Sequence, residues 1–207
     1  MAFSADAVAA ARRHLRKHDP VMRRLIDVVG PFNLKVRRDR FGMLVRSIIS
    51  QQISGKAARS IGKRLELLVA PEKMTPHTLA ARTIAELRSA GVSPQKASYL
   101  HDLAAHVDSG AVRLSRLGRM TDSDVIAELV QVKGIGVWTA QMFLMFSLGR
   151  LDVFPHDDLG IRSALRNMYG LAELPDRETS HEIAKPWRPY ATIASWYCWR
   201  SLEVKLT

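Results

Sequence analysis

The sequence predicts an all-α chain, and three observations carry that reading. Apolar residues return at helical spacing almost throughout, helix-start signatures recur at short intervals, and no run of alternating β-branched residues lies between turn signals. Of the 207 residues, 47% are apolar and 25% charged, the ordinary balance of a chain that buries a core.

Each element has its own signal. Met1 to Asp19 passes from Ala-rich to basic, without the continuous apolar run of a signal peptide. Phe41, Leu44, Val45, Ile48 and Ile49 make one apolar stripe, and Ile61, Leu65 and Leu68 mark a second helix after Ser54-Gly55. Thr75-Pro76 reads as an N-cap with proline at the first helical position. Ala97, Leu100, Leu103 and Ala104 follow a start near Ser93-Pro94. Thr121 to Asp124 is an acidic start for a helix carrying Val125, Ile126 and Leu129. Val137 to Phe146, Leu159 to Met168 and Pro186 to about Glu203 complete the helical series. Two connections, Gly30 to Arg40 and Gly149 to Pro155, are candidate boundaries. They suggest a central helical domain over 32–149 and a second helical domain made of both chain ends, 1–31 plus 150–207.

Composition narrows the function classes. A formal net charge of +11 and a pI of about 10.3 favour a polyanionic partner, nucleic acid first and an anionic membrane surface second. Cys198 is the only cysteine, which excludes an intrachain disulfide, a cysteine-held iron–sulfur cluster or a cysteine zinc site. His14 and His18 have chelating spacing but stand among Arg12, Arg13, Arg16 and Lys17 and read as a solvated basic helix. No side-chain metal site and no cofactor are expected. No stretch has the length of a membrane span. The chain reads as a monomer in a reducing, intracellular setting.

The segment from Leu129 to Ala140, Leu-Val-Gln-Val-Lys-Gly-Ile-Gly-Val-Trp-Thr-Ala, holds most of the information. A helix running to Val132 turns through Lys133, Gly134, Ile135 and Gly136 and restarts at Val137. Glycines suit positive φ and close approach to a backbone, and N–H groups at a helix start can hold one phosphate. Ile135 would tuck inward. Such a turn reads backbone rather than base sequence, with Lys133, Gly134, Ile135, Gly136 and Thr139 as its DNA-binding residues. Downstream, Asp158 stands where it would N-cap the helix from Leu159, with Asp157 beside it.

The pattern L-x-x-V-K-G-I-G-x-x-T-A resembles the helix-hairpin-helix of DNA-binding proteins. With Asp158 about twenty residues later and Ile161 after it, the sequence resembles the helix-hairpin-helix DNA glycosylase superfamily, in particular its 3-methyladenine-DNA glycosylase II branch. The similarity runs from about Phe41 to Trp199. It includes Ile49-Ser-Gln-Gln-Ile-Ser54, Ala90-Gly-Val-Ser-Pro-Gln-Lys96, Val153-Phe-Pro-His-Asp-Asp158 and Lys185-Pro-Trp-Arg-Pro-Tyr190, which leads to Trp196-Tyr197. The resemblance implies two helical subdomains with an active-site cleft between them. It also implies hydrolysis of an N-glycosidic bond in double-stranded DNA carrying a damaged base, and a monovalent cation on the hairpin carbonyls.

Carried over residue by residue, Asp158 is catalytic and Asp157 caps or orients. A carboxylate there would stabilise positive charge on the sugar, and a helix N-terminus stabilises negative charge. Lyase members carry a lysine two residues after the second hairpin glycine. Trp138 stands there instead, which implies a monofunctional enzyme. Trp138 and Trp196 match positions lining the base pocket, and aromatic faces attract the positive charge of an alkylated purine. Met142 and Leu159 fall at pocket positions that carry tyrosine in a well-known bacterial member, which leaves the lesion range open. Trp187, Tyr190 and Trp199 read as core. Gln52 matches the wedge that fills the space of a flipped nucleotide, with Gln51 as its close alternative. Two other readings stand beside this one: a non-catalytic helix-hairpin-helix DNA-binding module, and a glycosylase for another lesion.

Overall fold

In a computed structural model of the protein, which describes residues 3–204, every regular element is helical and no described residue lies in a strand. The α-helices are α1 Ala5–His18, α2 Pro20–Val29, α3 Arg40–Ser50, α4 Gly55–Val69, α5 Pro76–Ala80, α6 Ile84–Ser89 and α7 Pro94–Asp108. They continue as α8 Asp122–Leu129, α9 Val137–Phe143, α10 Leu159–Tyr169, α11 Arg177–Ala184 and α12 Ala191–Ser201. No described helix is long and apolar enough to cross a membrane.

The starts are chemically marked. Ser54, Thr75, Thr83, Ser93, Thr121 and Asp158 each accept a backbone N–H from the first turn of their helix. Each such cap stabilises by about 1 kcal/mol.

Helix ends depart from the sequence pattern. The helix expected to run to Val132 stops at Leu129, and Val130–Lys133 form turns. α9 ends at Phe143 and the chain continues as one wider turn of π-helix, Leu144–Leu148. The segment expected as one helix from Pro186 is a short 3₁₀ turn, Lys185–Trp187, followed by α12. Pro189 interrupts it, because it has no N–H to continue a helical ladder.

The chain divides into two compact units. One comprises Met1–Val36 with Leu144–Thr207, as far as these are described, and the other is Arg37–Phe143. In the middle unit α3 buries Leu44 and Ile48, and α7 buries Ala97, Leu100, Leu103 and Ala104. α5, α6 and α3 all pack on α7. In the unit of chain ends, Leu15, Met22 and Ile26 of α1 and α2 join Ile161 and Leu165 of α10 and Ile193, Ala194 and Tyr197 of α12.

Asp19 pins this second core. It is 4% exposed, caps α2 through the N–H groups of Val21 and Met22, and accepts Trp187 Nε1 at 2.8 Å and the Tyr169 hydroxyl. A buried carboxylate is tolerated only when hydrogen-bonded, and four donors meet that need. Burial beside this carboxylate pushes the Tyr169 phenol well above its ordinary range. Cys198 lies buried in the same core as a free thiol, and burial pushes it up as well.

Candidate functional site

The hairpin is built around Gly134. Its φ of 82° is left-handed, and a Cβ there would lie 2.2 Å from the Tyr99 ring. Only glycine satisfies both conditions. Gly136 has a different reason to be glycine. Its φ is not positive, and a Cβ would meet nothing within 4 Å, so its backbone is open to an approaching group. Ile135 between them is 4% exposed, turned inward as its position suggests.

Two backbone donors of the hairpin already have partners. Lys133 N–H donates to Asp102 at 2.8 Å, and Ile135 N–H to the carbonyl of Val132 at 3.0 Å. The glycines alternate with these two. The Lys133 ammonium, 72% exposed, stands 3.9 Å from Asp102. Val137 and Trp138 follow at 49% and 42% exposure, whereas Thr139 and Met142 are buried.

The hairpin carbonyls of Val132, Gly134 and Gly136 each accept one N–H, from Ile135, the Gln51 amide and Ala140. Each keeps a second lone pair, and neutral oxygens of this kind fit a monovalent cation. Among the described residues no cluster of three or more His, Cys, Asp or Glu could hold a metal.

The loop between α3 and α4 is tied to this hairpin. Gln51 Nε2 donates to the Gly134 carbonyl at 2.8 Å, across 83 positions of sequence. Lys96, in the first turn of α7, caps the end of α3 by donating to the carbonyls of Ile49 at 2.8 Å and Gln51 at 2.6 Å. Partial burial pushes that ammonium below its ordinary range. Gln52 is exposed and holds a φ of 56°, a left-handed conformation that L residues adopt at a cost of roughly 1–3 kcal/mol. Neither the Lys96 cap nor the Gln51 tether was signalled by periodicity. The motif Ala90 to Lys96 pointed to the region, and its Ser93 caps α7 so that Lys96 comes to α3.

In the other unit Asp158 caps α10. Its Oδ1 accepts the N–H of Ile161 at 2.9 Å and the indole N–H of Trp199 at 2.8 Å. Trp199 was expected to be core, but it is half-buried and hydrogen-bonds this carboxylate. Trp187 is wholly buried, and Tyr190 is half-buried against His14. Trp196 is 7% exposed, with Phe32 and Tyr197 edge-on at 5.0 and 4.9 Å and the Arg200 guanidinium 5.9 Å from its ring centre. Leu159 is 65% exposed.

Asp157 does not cap the helix. It is exposed, with an oxygen 3.2 Å from His156 Nε2. His156 packs in turn on His181 at 4.9 Å, and burial, with positive neighbours adding to it, pushes His181 below its ordinary range. Thus Gln51, Gln52, Lys96, Lys133 to Gly136, Trp138, Thr139 and Met142 belong to the middle unit. Asp158, Leu159, Trp196 and Trp199 belong to the unit of chain ends.

Residues 45–189 match the model of the HhH-GPD superfamily base excision DNA repair protein family. The putative DNA-3-methyladenine glycosylase YfjP of Bacillus subtilis is 32% identical over 169 residues, 79% of this chain but only 59% of that protein. The structure of the Schizosaccharomyces pombe 3-methyladenine DNA glycosylase Mag1, in complex with abasic DNA, is similar with a TM-score of 0.85 at 31% identity. It covers 94% of this chain and 97% of that one. A DNA-3-methyladenine glycosidase from Bacillus halodurans gives 0.83 at 36% identity, over 92% of this chain and 88% of the other. The matched residues include the hairpin around Gly134 and the capping carboxylate of α10, and the chain belongs to the HhH-GPD superfamily of base excision DNA repair proteins.

Proposed function

We propose that this protein is a monofunctional DNA glycosylase that excises alkylated bases of the 3-methyladenine type from duplex DNA. The observation that carries the reading is Asp158, a carboxylate held by two N–H donors at the start of α10, in a chain that also presents an open glycine hairpin. In this reading the hairpin backbone and Lys133 hold a phosphate, and a monovalent cation on the hairpin carbonyls would add positive charge facing it. Gln52 fills the gap in the stack while the damaged nucleotide is flipped; its exposure and left-handed backbone suit that role, whereas Gln51 is committed to Gly134.

An alkylated purine is already a good leaving group, so no general acid is required. As the glycosidic bond lengthens, the sugar becomes cationic and the Asp158 carboxylate stabilises that charge and orients the attacking water. Trp138, 42% exposed, offers an aromatic face, which contributes about 0.5–2 kcal/mol toward a cationic base. With Trp138 in place of a lysine, no amine at that position attacks the sugar, so the product is free base plus an intact abasic site. The protein acts as a monomer inside the cell.

The test uses duplex DNA containing 3-methyladenine, with wild type and Asp158→Asn. Wild type should release free base, strand breaks should appear only after alkali, and borohydride should trap no covalent complex. Asp158→Asn should lose about a hundredfold or more in rate while still binding abasic duplex. A near wild-type rate for the variant would remove Asp158 from the chemistry. Binding by wild type without release would leave a different lesion or a non-catalytic DNA-binding module, which a panel of damaged bases separates.

A further inference from the structure

We propose that Trp199 is a positioning residue for the excision step, acting through Asp158; this rests on the catalytic reading of that carboxylate. An N-cap aspartate has a broad, roughly two-fold torsion about its last side-chain bond. The bond from the Ile161 N–H fixes where one oxygen sits, and a second donor on that oxygen restricts the swing of the carboxylate plane. Trp199 Nε1 reaches the same Oδ1 at 2.8 Å from α12, 41 positions downstream, so the two N–H groups clamp one oxygen from two different helices.

The clamp is itself held. Phe146, in the π-helical turn after α9, stacks on the Trp199 indole with ring centres 5.8 Å apart and planes 26° from parallel. Below it, Gly160 leaves room for the pair, since a Cβ there would lie 3.0 Å from both Asp158 Oδ1 and Trp199 Cδ1. Indole N–H groups are donors only, and half-buried ones find an acceptor. What distinguishes Trp199 is that its acceptor is this carboxylate, whereas Trp187 spends its N–H on Asp19 in the core.

Reacting groups displaced by about 1 Å can lose about a hundredfold in rate. Loss of the indole N–H should therefore slow chemistry and leave DNA binding alone.

The experiment replaces Trp199 by 3-benzothienylalanine, which keeps the fused rings and their stack on Phe146 but puts sulfur where the N–H was. Single-turnover excision of 3-methyladenine should fall about tenfold or more, while affinity for abasic duplex stays within about twofold. Trp199→Phe should slow excision at least as much, and the isostere covers the case in which the phenylalanine variant folds poorly. An isostere that excises at the wild-type rate overturns the proposal, as does one whose affinity for abasic duplex falls in parallel with its rate. Asp158→Asn run alongside separates the two ideas. A slow Asp158→Asn with a fast isostere sinks only the clamp, whereas a fast Asp158→Asn sinks the catalytic reading beneath it.

Discussion

Gly134 is constrained from two directions, by its backbone angle and by the Tyr99 ring against it. Gly134→Ala should therefore cost about 1–3 kcal/mol of stability from backbone strain alone, with the ring clash adding to it. It should also weaken binding to abasic duplex, and thermal unfolding and fluorescence anisotropy measure the two effects separately. The hairpin glycines were legible in the sequence, which offered positive φ and close approach for both; Gly134 has the positive φ and Gly136 the open backbone. Asp158 was legible as an N-cap because it directly precedes a periodic apolar run. Trp199 was not, since aromatics at helical spacing mark a buried face whatever their polar edge meets. The partner of an indole N–H is decided by how two distant helices pack, which periodicity does not encode.

Among the elements, the loop between α3 and α4 bears the sharpest division of labour. Gln51 spends its amide on the hairpin carbonyl and Gln52 is left exposed. Gln52→Gly should slow excision while raising stability slightly or leaving it unchanged, since glycine adopts the left-handed position without strain. Gln51→Ala should instead lower the unfolding temperature, because it removes a hydrogen bond worth about 1 kcal/mol. Single-turnover rates and thermal midpoints of the two variants check this, and reversed assignments would make Gln51 the wedge. Helix starts were readable because serine, threonine and aspartate caps announce them. Ends were less so: α9 gives way to a π-helical turn and the final helix is interrupted at Pro189, with no capping residue to mark either change. α11 carries a polar sequence, Arg-Glu-Thr-Ser-His-Glu-Ile-Ala, with too little apolar spacing to have been singled out.

For the whole molecule, a net charge of +11 implies that much of its affinity for DNA is released counterions. Affinity for abasic duplex should fall by about tenfold or more between 50 and 200 mM salt, as neutralisation of several phosphates requires. Anisotropy titrations at three salt concentrations would show it, and a flat response would argue against a phosphate grip. The charge was plain in the sequence, and one of the two units is assembled from both chain ends. That discontinuity has a consequence in time. α1 and α2 leave the ribosome before the whole of Arg37–Phe143, while Tyr169 and Trp187, which close over Asp19, come after it. At ~5–20 residues per second, roughly ten to thirty seconds separate the carboxylate from its donors. During that interval the middle unit is completed, while Leu15, Met22 and Ile26 lack the α10 and α12 residues they pack on, and Asp158, proposed to act on the glycosidic bond, has no finished unit to hold it.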